Sequence, residues 1–195
     1  MSEAFFRDLD TAWILPERAT LCLIGGTALR LGHAHTRVTN DADILETAEL
    51  SPAIRGELLR LAARGTPLAR RHDLYVEVIA PGLPFLPRAP RYHAVAFTPP
   101  LAKLELLTLD ATDVAVSKLK RFHANDRSDI EARVDAGHVV HSDLVERFRS
   151  AVDGWLGSAY EGDLPRCVRN LHAVERDIFT VAESVVELPS YLDEA

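Results

Sequence analysis

Residues 21–45, which read LCLIGGTALRLGHAHTRVTNDADIL, constrain the fold of this chain more than any other stretch. An apolar run ends at a glycine pair, and a short helical pattern follows. A polar turn then leads into an apolar segment that carries two acids. This order predicts a strand, a glycine turn, a helix and a second strand. Because successive residues of a strand point to opposite faces, we expect Asp41 and Asp43 on one face.

The two carboxylates predict a cation site. Asp41 and Asp43 lie one strand period apart, and at that spacing they repel each other unless a positive charge lies between them. Ligand sets made of oxygen suit Mg²⁺ or Mn²⁺, whose remaining positions water and substrate phosphates fill.

The glycine pair predicts a phosphate site beside the acids. Gly25 and Gly26 allow the backbone to bend and to approach a ligand closely. Thr27 lies at the start of the following helix, where free N–H groups and the helix dipole favour an anion. A phosphate cradle next to a carboxylate pair indicates metal-assisted phosphoryl or nucleotidyl transfer.

The same residues carry a resemblance to a known superfamily. The run Gly25-Gly26-Thr27, then thirteen residues, then Asp41-Ala42-Asp43-Ile44 resembles the signature of the DNA polymerase beta-type nucleotidyltransferases. Within that superfamily the chain looks most like the small bacterial members related to the AbiEii and MenA toxins. Three segments carry this closer likeness: RVTNDAD at residues 37–43, VAVSKL at 114–119 and DRSDI at 126–130.

The resemblance implies transfer of a nucleoside monophosphate from an NTP, ATP among them, to an acceptor hydroxyl. It implies two Mg²⁺ (or Mn²⁺) ions held by Asp41, Asp43 and a third acid on a later strand. Residues 74–79 (LYVEVI) read as that strand, and Glu77 is the candidate for the third acid. Asp73, at the start of this strand, is the competitor.

The resemblance also implies a set of nucleotide contacts. These are Gly25, Gly26, Thr27, Arg37, Lys118, Arg121 and Asp129. Lys118 and Arg121 lie three residues apart on a predicted helix, so we expect both side chains at its surface. Asp129 has a competing explanation, because Asp126 at an N-cap with an acid three residues later is itself a capping arrangement.

The predicted fold class is α/β (α+β). A small mixed sheet with helices on one side forms the nucleotidyltransferase core at residues 1–135, and a helical appendage follows at 136–195. Residues 52–63 predict a helix with Ser51 as its N-cap, and residues 92–97 a short strand among prolines. Residues 103–109 fit either a final strand or a turn. Apolar residues from Cys167 to Val181 predict one long last helix.

Charge and cysteine content narrow the functional classes. The formal net charge of −7 argues against broad coating of nucleic acid, although Arg and Lys cluster at residues 60–71 and 118–127, where a local basic groove could form. Cys22 and Cys167 read as buried thiols of a reduced cytosol, and we expect a cytoplasmic protein without a signal peptide or a membrane span. The scattered histidines and cysteines do not suggest a zinc site.

The acceptor stays open at this point. A tRNA 3′ end, a protein side chain and a small molecule all offer a hydroxyl group. The likeness to toxins favours tRNA or protein, with a cognate antitoxin as a possible partner. The alternative is a module on the same fold that binds a nucleotide or a partner protein without catalysis. A weaker alternative is a phosphohydrolase that uses water as the acceptor.

Overall fold

A computed structural model describes residues 2–32 and 39–192 of the chain. Within these ranges the protein has eight α-helices and a five-stranded mixed sheet, which confirms the predicted α/β class. The strands are β1 (Ala19–Leu23), β2 (Asp41–Leu45), β3 (Tyr75–Ile79), β4 (Tyr92–Ala94) and β5 (Leu104–Leu109).

The helices follow the strands closely in chain order, and three shorter helical elements lie in the C-terminal part of the described residues: Glu161–Asp163, Glu175–Phe179 and Ser190–Leu192. The helices are α1 (Ser2–Ala12), α2 (Gly25–Gly32), α3 (Pro52–Ala62), α4 (Pro67–His72), α5 (Ala111–Lys118), α6 (Ala124–Asp135), α7 (His141–Trp155) and α8 (Leu164–Val174). The Ser51 cap of α3 is confirmed, because its hydroxyl accepts a hydrogen bond from the Ile54 N–H at 3.3 Å.

The sheet has the strand order β3-β2-β1-β5-β4. The pairs β1–β5 and β2–β3 are parallel, whereas β1–β2 and β4–β5 are antiparallel. Residues 104–109 therefore form a strand in the interior of the sheet rather than a turn. This topology puts the acid-bearing β2 between the glycine turn that follows β1 and the edge strand β3.

The chain divides into two compact units. The first consists of Met1–Leu83 with Arg91–Asp110 and contains the whole sheet, and the second consists of Pro84–Pro90 with Ala111–Ala195. Helix α1 supplies the core of the first unit, as its spacing predicts. The buried apolar residues are Phe5, Phe6 and Leu9 on α1, and Trp13 directly after it.

A buried carboxylate on α1 fixes the start of β5. Asp10 accepts hydrogen bonds from the N–H groups of Ala102, Lys103 and Leu104 at 2.8–3.0 Å. Three backbone donors on one carboxylate satisfy groups that would otherwise be buried without a partner. Asp10 thereby ties α1 to the central strands.

Aromatic packing holds the second unit together. Phe85 makes edge-to-face contacts with Phe148 and Trp155, at ring centroid distances of 5.3 and 4.9 Å. Lys120 places its ammonium over the rings of Trp155 and Tyr160, at 4.7 and 4.6 Å from their centroids.

Two predicted boundaries are wrong. The last helix does not continue to Val181: α8 ends at Val174, one π-helical stretch (Glu175–Phe179) follows, and Thr180 adopts a left-handed conformation with φ 56°. A β-branched residue in that conformation ends the helix whatever the apolar pattern beyond it. The short strand β4 likewise stops at Ala94, before Phe97.

The thiols of Cys22 and Cys167 are both buried and free, as predicted. Burial raises the pKa of Cys167 to about 12. No helix within the described ranges has both the length and the apolar composition that crossing a membrane requires.

Candidate functional site

The acid pair lies on β2, which alternates between half-buried and buried residues. Asp41 and Asp43 are half-buried, while Ala42 and Ile44 between and beyond them are fully buried. This alternation is that of a strand with one packed face, and it directs the two carboxylates to the other face.

The glycine turn meets the acid pair directly. Gly25 has φ +66°, a conformation that residues with a side chain adopt rarely. A methyl group built on Gly25 would lie only 2.7 Å from Asp43 Oδ2. Ile24 donates its N–H to the Asp43 carbonyl at 2.9 Å, and Thr27 donates its hydroxyl to the Asp41 carbonyl at 2.6 Å. The turn is therefore fastened to β2 at both acids.

Gly25→Ala is expected to lower nucleotidyl transfer about 100-fold, because displacement of a catalytic group by about 1 Å has an effect of that size. The new methyl group would push the Asp43 carboxylate away and strain the turn. Gly82→Ala is the matched control, since Gly82 also has a positive φ (+82°) but a methyl group there would meet nothing within 4 Å. Steady-state rates of both variants measure the effect, and equal losses in the two would contradict the role of the Asp43 contact.

Glu77 lies opposite the acid pair on β3. In the parallel β2–β3 pairing, Asp43 is in register with Glu77 and Asp41 with Tyr75, so these four side chains share one face. Glu77 is exposed. The competitor Asp73 lies outside the strand, where its carboxylate accepts a hydrogen bond from Asn40 Nδ2 at 3.0 Å. The register thus favours Glu77 over Asp73 as the third acid.

Thr39 is a positioning residue that the sequence analysis did not single out. Its hydroxyl donates a hydrogen bond to Asp41 Oδ1. With this contact and the Thr27 bond to the Asp41 carbonyl, both the side chain and the backbone of Asp41 are held. The sequence feature that could have identified Thr39 is its place two residues before the first acid of the RVTNDAD run.

The carboxylates of Asp41 and Asp43 fit the binding of Mg²⁺ together with a substrate. Within residues 2–32 and 39–192, no group of three or more His, Cys, Asp and Glu side chains is arranged to hold a metal ion. Mg²⁺ in phosphoryl-transfer sites usually takes one or two carboxylates and completes its shell with water and substrate phosphates. Two half-buried carboxylates one strand period apart, facing a glycine turn, meet that requirement.

The second unit holds Lys118, Arg121 and Asp129 in one network of ion pairs. Lys118 Nζ lies 2.7 Å from Asp129 Oδ2 and 3.2 Å from Asp126 Oδ1, and Arg121 Nε lies 2.9 Å from Asp126 Oδ2. The expectation that Lys118 projects at the helix surface is wrong, because its side chain is only 7% exposed. Its burial follows from the two buried aspartates that surround its ammonium group.

Asp126 is the centre of this network. Burial alone would raise the pKa of Asp126, but the hydrogen bond from Arg121 and the charge of Lys118 lower it to about 2. Asp126 is not an N-cap, because α6 is capped by His123, whose N–H donates to Asp126 Oδ2 at 3.1 Å. The predicted nucleotide contacts of Lys118, Arg121 and Asp129 stay predictions, and Arg37 lies outside the described residues.

Comparison with known proteins gives one match. Residues 7–152, more than half of the chain, match the model of a family described as nucleotidyltransferase of unknown function (DUF6036). The matched range contains the glycine turn, the acid pair and Glu77. No curated protein and no solved structure matches the chain.

Proposed function

Because the chain belongs to the DUF6036 family of nucleotidyltransferases, we propose that it transfers a nucleoside monophosphate from an NTP to an acceptor hydroxyl with the help of Mg²⁺ or Mn²⁺. The observation that carries this proposal is the close approach of the Gly25 turn to the Asp43 carboxylate. A phosphate seated on the turn would lie next to the acids that hold the metal.

Asp41, Asp43 and Glu77 would hold two ions only together with the substrate phosphates, because without them the three carboxylates are not arranged as a metal site. Bound there, the ions would supply charge neutralisation on the phosphates and would lower the pKa of the acceptor hydroxyl. Thr39 and Thr27 hold Asp41 in place before any ligand arrives, which reduces the reorganisation that binding requires. Glu77, which is exposed on the edge strand, would accept the proton of an incoming hydroxyl.

The backbone of the glycine turn would bind the triphosphate. The Thr27 hydroxyl already donates to the Asp41 carbonyl, so the free N–H groups at the start of α2 are the better phosphate donors. Gly26, which has no side chain, would allow a ligand to approach that backbone closely. Arg37, Lys118, Arg121 and Asp129 complete the proposed nucleotide contacts, as the resemblance implies.

The biological setting is part of the same proposal. Likeness of the RVTNDAD run to relatives of AbiEii and MenA supports a role as a toxin or defence enzyme in the cytoplasm. A tRNA 3′ end or a protein side chain would then be the acceptor, and an antitoxin encoded nearby would be a partner.

The experiment that tests the function is transfer of label from α-³²P-NTPs, one at a time, into a total cell extract with Mg²⁺. We expect label in an RNA or protein band with the wild type and with Glu46→Gln, and none with the Asp41→Asn/Asp43→Asn double variant. Glu46 follows β2 and pairs with Arg55 at 3.5 Å, so this control removes one nearby charge outside the site. If no NTP gives label while calorimetry shows metal-dependent NTP binding, the transferase hypothesis would be rejected in favour of a nucleotide sensor.

A further inference from the structure

An open cavity of about 320 Å³, lined by both polar and apolar residues, lies where β2 and β3 begin. Its lining includes Asn40, which precedes Asp41, and Tyr75, the in-register partner of Asp41 on β3. Arg64 and Arg70 line it as well. We infer that this cavity binds the unpaired 3′ end of a single-stranded polynucleotide, with a base stacked on the Arg64 guanidinium.

Arg64 and Tyr75 form a preformed stacking surface. The guanidinium carbon of Arg64 lies 4.3 Å from the centroid of the Tyr75 ring, and Arg64 Nη2 also donates to the Tyr75 hydroxyl. Arg64 is exposed and Tyr75 is half-buried, so the ring supports one side of the guanidinium. Unpaired bases stack on aromatic rings and on guanidinium planes in proteins that bind single strands.

The position of the cavity distinguishes the acceptor from the NTP. The Gly25 turn, where the triphosphate would bind, contacts β2 from the side of β1. The Arg64–Tyr75 pair lies on the other side, at the edge strand β3 that also carries Glu77. A ligand in this cavity would therefore lie on the β3 side of β2 and the NTP on its β1 side, so the two would not compete for the same place.

The charged residues of the cavity suit a short stretch of nucleic acid with few phosphates. Arg70 is exposed and lies one residue from Arg71, which faces Asp8 instead at 3.2 Å. The carboxylate of Asp73 at the same cavity accepts a hydrogen bond from Asn40. Two arginines within an acidic chain predict a footprint limited to the terminal nucleotides, with affinity set by stacking and one or two phosphates.

The test measures binding of fluorescein-labelled RNA and DNA single strands of about 12 nucleotides, without NTP or metal, across a range of salt concentrations. We expect Arg64→Ala and Arg64→Lys to weaken binding about tenfold or more, since lysine keeps the charge but not the flat stacking surface. Arg70→Ala should reduce the slope of log K against log salt by about 0.7. Arg71→Ala, the same charge change on the same helix, should leave affinity unchanged at about 0.15 M salt.

Equal binding by the wild type and all three cavity variants would overturn the inference. The inference would also be overturned if the wild type bound no strand and label entered protein alone. A duplex of the same sequence should bind more weakly, because its bases are already stacked. The acceptor role of the cavity rests on the proposed function, but strand binding does not. If strand binding depends on Arg64 and no transfer is seen, the enzyme activity alone is rejected. If transfer occurs and does not depend on Arg64, this binding site alone is rejected.

Discussion

Asp41→Asn and Asp43→Asn are each expected to lower the transfer rate by about three orders of magnitude, since a metal ion contributes several kcal/mol to stabilising the transition state. Both substitutions keep the shape of the side chain and remove one negative charge. Urea unfolding of each variant checks that a lost rate is not a lost fold.

The rate is measured with purified acceptor and saturating NTP, with Glu46→Gln as the control for loss of a charge near β2. Thermal unfolding supplies a second readout, because a ligand that binds only the folded state raises the Tm. Mg²⁺ with NTP should raise the Tm of the wild type and of Glu46→Gln but not that of Asp43→Asn. Unchanged transfer by either aspartate variant would exclude the acid pair as the catalytic centre.

Lys118→Met is expected to lower the free energy of unfolding by about 3–5 kcal/mol, the usual effect of removing one partner from a buried ion pair. The ammonium group of Lys118 lies between Asp126 and Asp129, both 1% exposed. Methionine has a similar volume, so the loss reports the missing charge rather than a cavity. Urea unfolding at about pH 7 measures the change.

Two further variants separate the parts of this network. Lys118→Met/Asp129→Leu removes both charges and should recover part of the lost stability, because neither partner is left buried alone in that pair. Arg121→Ala should have a smaller effect, since Arg121 is 66% exposed and Asp126 keeps its contact with Lys118. Full stability of Lys118→Met would contradict a structural role.

Acid should remove the contribution of Asp126. Its folded-state pKa of about 2 is below the ordinary aspartate value, so its stabilisation is complete above about pH 4 and is lost as the pH falls through 2.

The KM for NTP of Lys118→Met, measured under conditions where the variant is folded, tests the predicted nucleotide contact of Lys118. A raised KM would support that role, and an unchanged KM would leave Lys118 with a structural role alone.

The glycine turn and the acid pair were predictable because each rests on local chemistry. A glycine pair after an apolar run predicts a turn, and two acids separated by an alanine predict one strand face. Ser51 before Pro52 predicted the start of α3 for the same reason, since an N-cap acts within four residues. The roles of these residues in catalysis stay predictions until transfer is measured.

Other features depend on contacts between distant segments. The register that aligns Glu77 with Asp43 arises from pairing across 34 positions of sequence, which no local pattern specifies. Burial of Lys118 likewise depends on where α6 places its aspartates, and helical spacing alone favoured an exposed side chain. The change from α8 to a π-helical stretch and the left-handed Thr180 that ends this stretch were both missed, because the apolar pattern continues to Val181.

The edge position of β3 bears on the kind of acceptor that the proposed transfer would use. Within the described part of the chain, β3 pairs with β2 alone, so its outer side has no neighbouring strand. A large folded molecule need not thread into the protein or unfold to present its terminus at Glu77. Its body would stay in solution, so in the proposed reaction acceptors of very different mass would be equivalent as long as each has a flexible end that reaches Glu77.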